Sequence, residues 1–329
     1  MVVNSINRND KQQSLHYGLP RISHKYMPNI SREVHVMETV PLNPGTLSNF
    51  HKDCLTCIEN GFTGVRFTLN KFIPSSSIKL NNKIRVGIAQ IDSELITKYI
   101  TTRRTRLGEH SILVEAVTNF IVPWPSISIS QALDDFLYMS VACSPQDNIP
   151  KADVELEYYG RTGTLAFKYT GWPSYPDTIY STSYLRSITQ KLALGSQLTF
   201  RYFALPEPNQ KLFDITYYAQ YKGSAYTACF DFCKSNGYHF SYFRNIDKYL
   251  ACAVDIAGSV NLKKLTGTIA VRRKIPKYGS VITGHLTSDG AVTCLFKKRF
   301  TGDFPISVTL SGSYNFFAGE CGFGIGLCA

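Results

Sequence analysis

The stretch Glu320-Cys321-Gly322-Phe323-Gly324-Ile325-Gly326-Leu327-Cys328 decides the fold. Successive side chains of an extended chain point to opposite faces. Phe323, Ile325 and Leu327 therefore share one face, and Gly322, Gly324 and Gly326 share the other. One face is greasy and the other almost bare. Standing last in the chain, this segment reads as the closing strand of a transmembrane barrel. Its apolar face is expected to meet lipid, and its glycine face to allow close approach on the lumen side.

The same period of two runs back through the chain to Gly61. Val65, Phe67 and Leu69 alternate with Arg66, Thr68 and Asn70. Val154, Leu156 and Tyr158 alternate with Asp153, Glu155 and Glu157, and Leu165, Phe167 and Tyr169 with polar or small neighbours. Leu198, Phe200 and Tyr202 repeat the pattern, as do Phe213, Ile215 and Tyr217, then Phe230 and Phe232 around Asp231, then Cys252, Val254 and Ile256. Turn signals at Tyr159-Gly160, Gly171-Trp172-Pro173, Ser235-Asn236-Gly237 and Asp289-Gly290 separate the segments. Counting between turns gives about nineteen strands, with roughly fourteen residues for each strand and its turn, enough for the ~9–11 residues of a membrane strand. The alternation is weakest over 95–145, where register is open.

Ahead of the strands the period changes. Leu47, Phe50, Cys54 and Ile58 recur at helical spacing between Asn43-Pro44 and Asn60-Gly61. A short helix is expected within 41–60, capped by Asn43, with Pro44 at its first position. Its apolar stripe either packs on the barrel wall or offers apolar contacts to a substrate; packing is the favoured reading. Residues 1–40 are polar and aperiodic and read as a flexible extension. The organisation is thus extension 1–40, helix 41–60 and barrel 61–329.

Composition sets limits. Charged residues are 18 % of the chain, below the roughly 25 % of soluble domains. Aromatics are 13 %, which suits aromatic girdles. The net charge is +11, but no Lys/Arg run exceeds three residues, and no nucleic-acid partner is expected. No stretch is apolar enough for a membrane helix, so a membrane-spanning form has to be a closed barrel, whose backbone groups are all paired. No secretory leader is read at Met1, and the nine cysteines read as reduced thiols. Cys54-Leu55-Thr56-Cys57 lacks a second ligand pair at zinc spacing, even with His51 nearby. No metal, cofactor or catalytic residue is expected, and no enzyme.

Three ordered stretches carry a family resemblance: Asn43-Pro44-Gly45-Thr46 leading to Gly64-Val65-Arg66-Phe67-Thr68-Leu69-Asn70-Lys71; Ser183 to Thr189 with Leu192-Ala193-Leu194-Gly195; and Cys321 to Gly326. Over 41–329 the chain resembles the channel-forming subunits of the translocase of the outer mitochondrial membrane, within the mitochondrial porin superfamily. The resemblance implies a nineteen-stranded barrel, parallel pairing of first and last strands, and a helix inside the pore. It implies unfolded preproteins with basic targeting segments as cargo. Receptor and small single-helix subunits, a second copy of the barrel and membrane lipid are the implied partners. The implied location is the outer membrane of a mitochondrion or a related organelle.

Against that expectation, alternation puts Asp153, Glu155, Glu157, Asp214, Asp231 and Asp255 on the lumen face, because lipid disfavours carboxylates. Such acids give a basic segment a weak, many-site path; they equally read as ordinary solvated polar residues. Glu320-x-Gly322-x-x-Ile325-x-Leu327 resembles the sorting signal of mitochondrial outer-membrane barrels, which β-augmentation can read. A metabolite porin of the same superfamily is the alternative function. A soluble basic β-protein that binds nucleic acid or lipid head groups is a second alternative.

Overall fold

The computed structural model describes residues 41–73, 78–86, 91–105, 108–119, 125–134, 136–146, 149–171, 177–203, 211–260, 263–300 and 305–329. The expected extension 1–40 and the Trp172-Pro173 turn lie outside them.

Among the described residues, nineteen strands form one sheet. The first six are β1 (Gly64–Ile73), β2 (Ile78–Val86), β3 (Ile91–Thr105), β4 (Gly108–Asn119), β5 (Ser126–Asp134) and β6 (Leu137–Gln146). Then come β7 (Ile149–Tyr159), β8 (Gly163–Gly171), β9 (Asp177–Ser187), β10 (Leu192–Phe203), β11 (Lys211–Lys222) and β12 (Tyr226–Cys233). The series ends with β13 (Gly237–Asn245), β14 (Leu250–Ser259), β15 (Lys264–Ile275), β16 (Ser280–Thr287), β17 (Ala291–Phe300), β18 (Ile306–Asn315) and β19 (Glu320–Cys328). Sequence neighbours pair antiparallel throughout, and β1 also pairs β19 in parallel. An odd number of meandering strands leaves its ends parallel, so this pairing closes the ring. The register sets Gly64 opposite Gly324, Val65 opposite Ile325 and Phe67 opposite Leu327. Every strand then has two partners, which removes the unpaired edge that lipid forbids.

The weakly patterned region is regular. β3 and β4 pair from Glu94–Asn119 to Thr105–Gly108, and among the described residues the register shifts at a bulge at Ala132/Asp134 between β5 and β6. The sequence obscures these strands because Leu95-Ile96, Tyr99-Ile100 and Ile112-Leu113-Val114 set apolar residues side by side and break the period of two.

Alternation sorts the wall into two faces. Val65, Phe67 and Leu69 are exposed, as are Leu156 and Tyr158, Leu165 and Phe167, Phe213 and Tyr217, and Phe230 and Phe232. Phe323, Ile325 and Leu327 continue the band at the seam. Water would not leave such a continuous apolar surface bare; hydrocarbon does not penalise it. On the opposite face, Leu185, Ala193, Cys229, Ala253 and Ala270 are buried beneath residues of the 43–63 segment. The segment therefore lies inside the ring. A ring this wide keeps an aqueous channel where a small barrel would be filled by its own side chains.

The segment is less helical than the sequence predicts. It holds a 3-10 turn, Leu47–Asn49, and one turn of α-helix, α1 (Lys52–Leu55). Asn43 caps neither: the 3-10 turn starts from Thr46, and α1 is over at Thr56, before Asn60-Gly61. Reach explains this. The segment is anchored near β8 by Asn43 and at β18 by Phe62. Those strands are about half a ring apart, roughly 48 Å at ~4.8 Å per strand. Twenty residues of α-helix span only about 30 Å. The chain has to extend between short turns to follow the curved wall.

Candidate functional site

The inner wall and the segment bound to it form the candidate site. Wall partners advance in strand order along the segment. The Asn43 amide donates to the carbonyls of Gly160 (2.7 Å) and Gly163 (3.1 Å) in the β7–β8 turn. Its Oδ1 accepts from the Thr164 hydroxyl at 2.9 Å and the Gly45 amide at 2.8 Å. Gly45 sits at φ +97°, a left-handed conformation that favours glycine. The Asn43-Pro44-Gly45 motif is thus a clamp on a turn.

Further along, Phe50 is buried against Leu185, Ala193 and Cys229, with Leu47 and Tyr218 beside it. Its carbonyl accepts from the Cys229 thiol at 3.0 Å. Cys54 and Cys57 pack on Ala253 and Ala270, with Ile58 partly buried alongside. Small wall residues make room here: the alanines of β14 and β15 leave space for the passing backbone. The stripe residues Leu47, Phe50 and Ile58 accordingly face the wall. Arg272 donates to the Thr56 carbonyl at 3.3 Å, and Lys297 pairs with Glu59. The Phe62 amide donates to Ser311 Oγ at 3.0 Å.

At the seam the glycine face receives this segment. A Cβ at Gly322 would stand 2.5 Å from the Thr63 methyl carbon, and one at Gly324 would overlap the Phe62 carbonyl oxygen. Arg66 of β1 lies 4.0 Å from the centre of the Phe62 ring. The expected approach on the lumen side is the chain's own backbone.

The six acids all fall on the inner face by register, but their surroundings differ. Glu155 is half-buried and stands opposite Lys168; Asp214 is half-buried and opposite Thr199. Asp153 accepts from the Thr170 hydroxyl at 2.5 Å. Glu157 is only 5 % exposed and accepts from Tyr159 at 2.5 Å. Asp231 meets His51 Nε2 at 2.8 Å, and Asp255 meets His239 Nε2 at 2.7 Å. Asp153, Glu157, Asp231 and Asp255 are thus engaged by the wall or its segment, whereas Glu155 and Asp214 are half-buried on the inner face.

Positive charge is gathered elsewhere on the wall. Arg272 and Lys274 follow buried Ala270 on its face of β15, and Lys297 and Arg299 follow buried Leu295 on β17. Lys151, Lys168, Arg201 and Lys222 share the inner face of β7–β11 with the acids by the same parity, so the wall is mixed in charge there, whereas the charged inner positions of β15 and β17 are all basic.

A closed meander of nineteen strands with an internal N-terminal segment matches one family in sequence as well. The eukaryotic porin model covers residues 43–324. The chain belongs to the eukaryotic porin family. Its relatives within curated proteins include the mitochondrial import receptor subunit TOM40 homolog 2 of Drosophila melanogaster, 24 % identical over 298 residues, spanning 87 % of this chain and 83 % of that protein. The TOM40 homolog of Caenorhabditis elegans is 21 % identical over 286 residues, spanning 87 % of this chain and 94 % of that protein. The human TOM40 homolog is 22 % identical over 293 residues, 86 % of this chain and 78 % of that protein. The porin match starts at Asn43, the first residue of the clamp.

Sequence reasoning passed over His239, Tyr159 and the clamp role of Asn43. For His239 a signal existed. The Ser235-Asn236-Gly237 turn centres a hairpin, and a tight hairpin there sets Asp231 directly opposite His239. For His51 none existed, because its partners lie far away in sequence.

Proposed function

We propose that this chain is the protein-conducting channel through which precursor polypeptides enter mitochondria across the outer membrane. The observation that carries the reading is the likeness, over most of the chain, to import receptor subunits of this porin family. The barrel geometry supports it. A basic, unfolded targeting segment meets half-buried carboxylates at Glu155 and Asp214 that attract it weakly. Transit requires binding strong enough to enter and weak enough to leave. Fixing the internal segment to the wall keeps the lumen clear and braces a wide sheet against collapse. The wall supplies position and field, with no covalent chemistry.

We assign the chain to an import translocase of the mitochondrial outer membrane. Within it, receptor and small single-helix subunits and a second barrel would dock on the apolar outer band. Glu320, Gly322, Ile325 and Leu327 would present the sorting signal before closure, while β19 is still an unpaired edge.

The test is planar-bilayer conductance of the purified barrel with a basic amphipathic targeting peptide added. Voltage-dependent block by the peptide is expected. Conductance that the peptide leaves untouched, with retained anion flux, would transfer the chain to the metabolite-porin reading.

A further inference from the structure

We propose that His51, Asp231 and His239 form a binding site for a divalent transition-metal ion, zinc foremost, at the junction of the internal segment and the barrel wall. One ligand comes from the segment and two from the β12–β13 hairpin, so the ion would fasten the segment to the wall.

The ligand atoms of the three residues lie within 4.8 Å of one another. His51 Nε2 is 2.8 Å from Asp231 Oδ1, and His239 Nδ1 is 3.5 Å from the same oxygen. Ligands about 2.0–2.2 Å from a tetrahedral zinc stand roughly 3–3.5 Å apart. Two of the three ligand pairs thus already stand near that spacing, and the third lies within 4.8 Å. The two imidazole rings lie side by side, 3.9 Å apart centre to centre, and each brings one nitrogen to Asp231 Oδ1.

A second, independent feature orients them. The other nitrogen of each ring is already held: His239 Nε2 by Asp255 Oδ1 at 2.7 Å, and His51 Nδ1 by Ser241 Oγ at 2.7 Å. Metal-bound histidines characteristically carry such a carboxylate or hydroxyl behind the ring, which fixes the tautomer and the ring plane. Here that outer shell leaves His51 Nε2 and His239 Nδ1 aimed at Asp231. Two imidazoles and a carboxylate suit zinc and its neighbours, not magnesium or calcium, which take all-oxygen sites.

The site is also accessible. Asp231 and His239 line a recess of about 520 Å³ on the inner wall, together with Thr216, Tyr218 and Cys233. It admits an ion and leaves room for water as fourth ligand. The C-x-x-C pair takes no part: Cys54 reaches the outer-shell Asp255 at 3.9 Å, while Cys57 packs on the wall.

The test is zinc chloride titration of the chelator-stripped full-length barrel in detergent, followed by zinc X-ray absorption. Expected are one saturable equivalent and a first shell of nitrogen and oxygen only. His51→Gln, His239→Gln and Asp231→Asn are each expected to lose that binding. Asp255→Asn, behind the ring, should weaken it about 10–100-fold. Sulfur in the first shell would move binding to the cysteines and overturn the proposal. So would absence of saturable binding by the wild-type barrel, which leaves a hydrogen-bonded chain only, or unchanged affinity in both histidine variants. The absorption result needs no variant, so a misfolded substitution does not blunt the test.

Discussion

The carbonyl oxygen of Phe62 occupies the space in which a side chain at Gly324 would stand. The contact joins the last turn of the internal segment to the strand that closes the barrel. Phe62 is two residues ahead of β1, and β1 pairs β19 beginning at Gly64–Gly324. Segment docking and ring closure therefore meet at one residue.

Gly324→Ala is expected to open that joint. The methyl group meets backbone, which cannot rotate away, and overpacking of this kind costs about 1–3 kcal/mol or more. Gly312 on the neighbouring β18 has nothing within 4 Å of its added Cβ, so Gly312→Ala serves as the matched control. Heat-modifiable mobility in detergent gels should drop to a lower unfolding temperature for Gly324→Ala alone. Equal melting of the two variants would separate closure from the Phe62 contact.

Phe50→Ala tests the middle of the segment. Loss of this buried ring typically costs about 3–5 kcal/mol and loosens α1 from the wall. The reporter is already present in Cys54. Burial, then the charge of Asp255, pushes its thiol up to about 12, so at neutral pH it is both covered and protonated. Maleimide should leave Cys54 unmodified in the wild-type barrel and label it in Phe50→Ala at a pH where exposed Cys321 reacts in both. Cys54 labelling at the same slow rate in both proteins would show that Phe50 does not hold the segment down.

Much of this architecture is legible in the sequence, and the reason is period. The outer face of Val65, Phe67 and Leu69, or of Phe323, Ile325 and Leu327, is written by lipid on one side and water on the other, so alternation reports it directly. The internal segment obeys a different constraint. Its apolar spacing suggests one helix, yet its shape is set by contacts to β8, β12, β14, β17 and β18, which no local pattern encodes. The acids show the same division. Parity gives the face of Glu157 and sets Tyr159, two residues along the same strand, beside its carboxylate, but only tertiary contact puts Asn43 at the adjoining turn. His51 and Asp231 meet across 180 positions, beyond the reach of any motif.

The lipid face of the seam is tested by Ile325→Lys. Ile325 lies mid-strand, opposite Val65 on one side and Leu310 on the other, all three exposed outward. A lysine on the lipid side near mid-bilayer costs about 2–4 kcal/mol. Carbonate extraction should release Ile325→Lys while wild-type protein stays in the membrane pellet. Full carbonate resistance of the variant would remove this face from lipid and place it against protein.

The acidic path separates by burial. Glu155 is half-buried, whereas Glu157 is covered and held by Tyr159. A passing peptide can exchange water for contact with Glu155 but not with Glu157. Neutralising one accessible charge is worth up to about 1 kcal/mol, so Glu155→Gln should weaken targeting-peptide binding by up to about fivefold at low salt. The difference should fade as salt shortens the screening length to about 8–10 Å. Glu157→Gln keeps an acceptor for Tyr159 and should leave peptide affinity unchanged. Fluorescence anisotropy of a labelled peptide across a salt series reads both variants. A larger loss in Glu157→Gln than in Glu155→Gln would mean that the acids act by shaping the wall and not by touching the cargo.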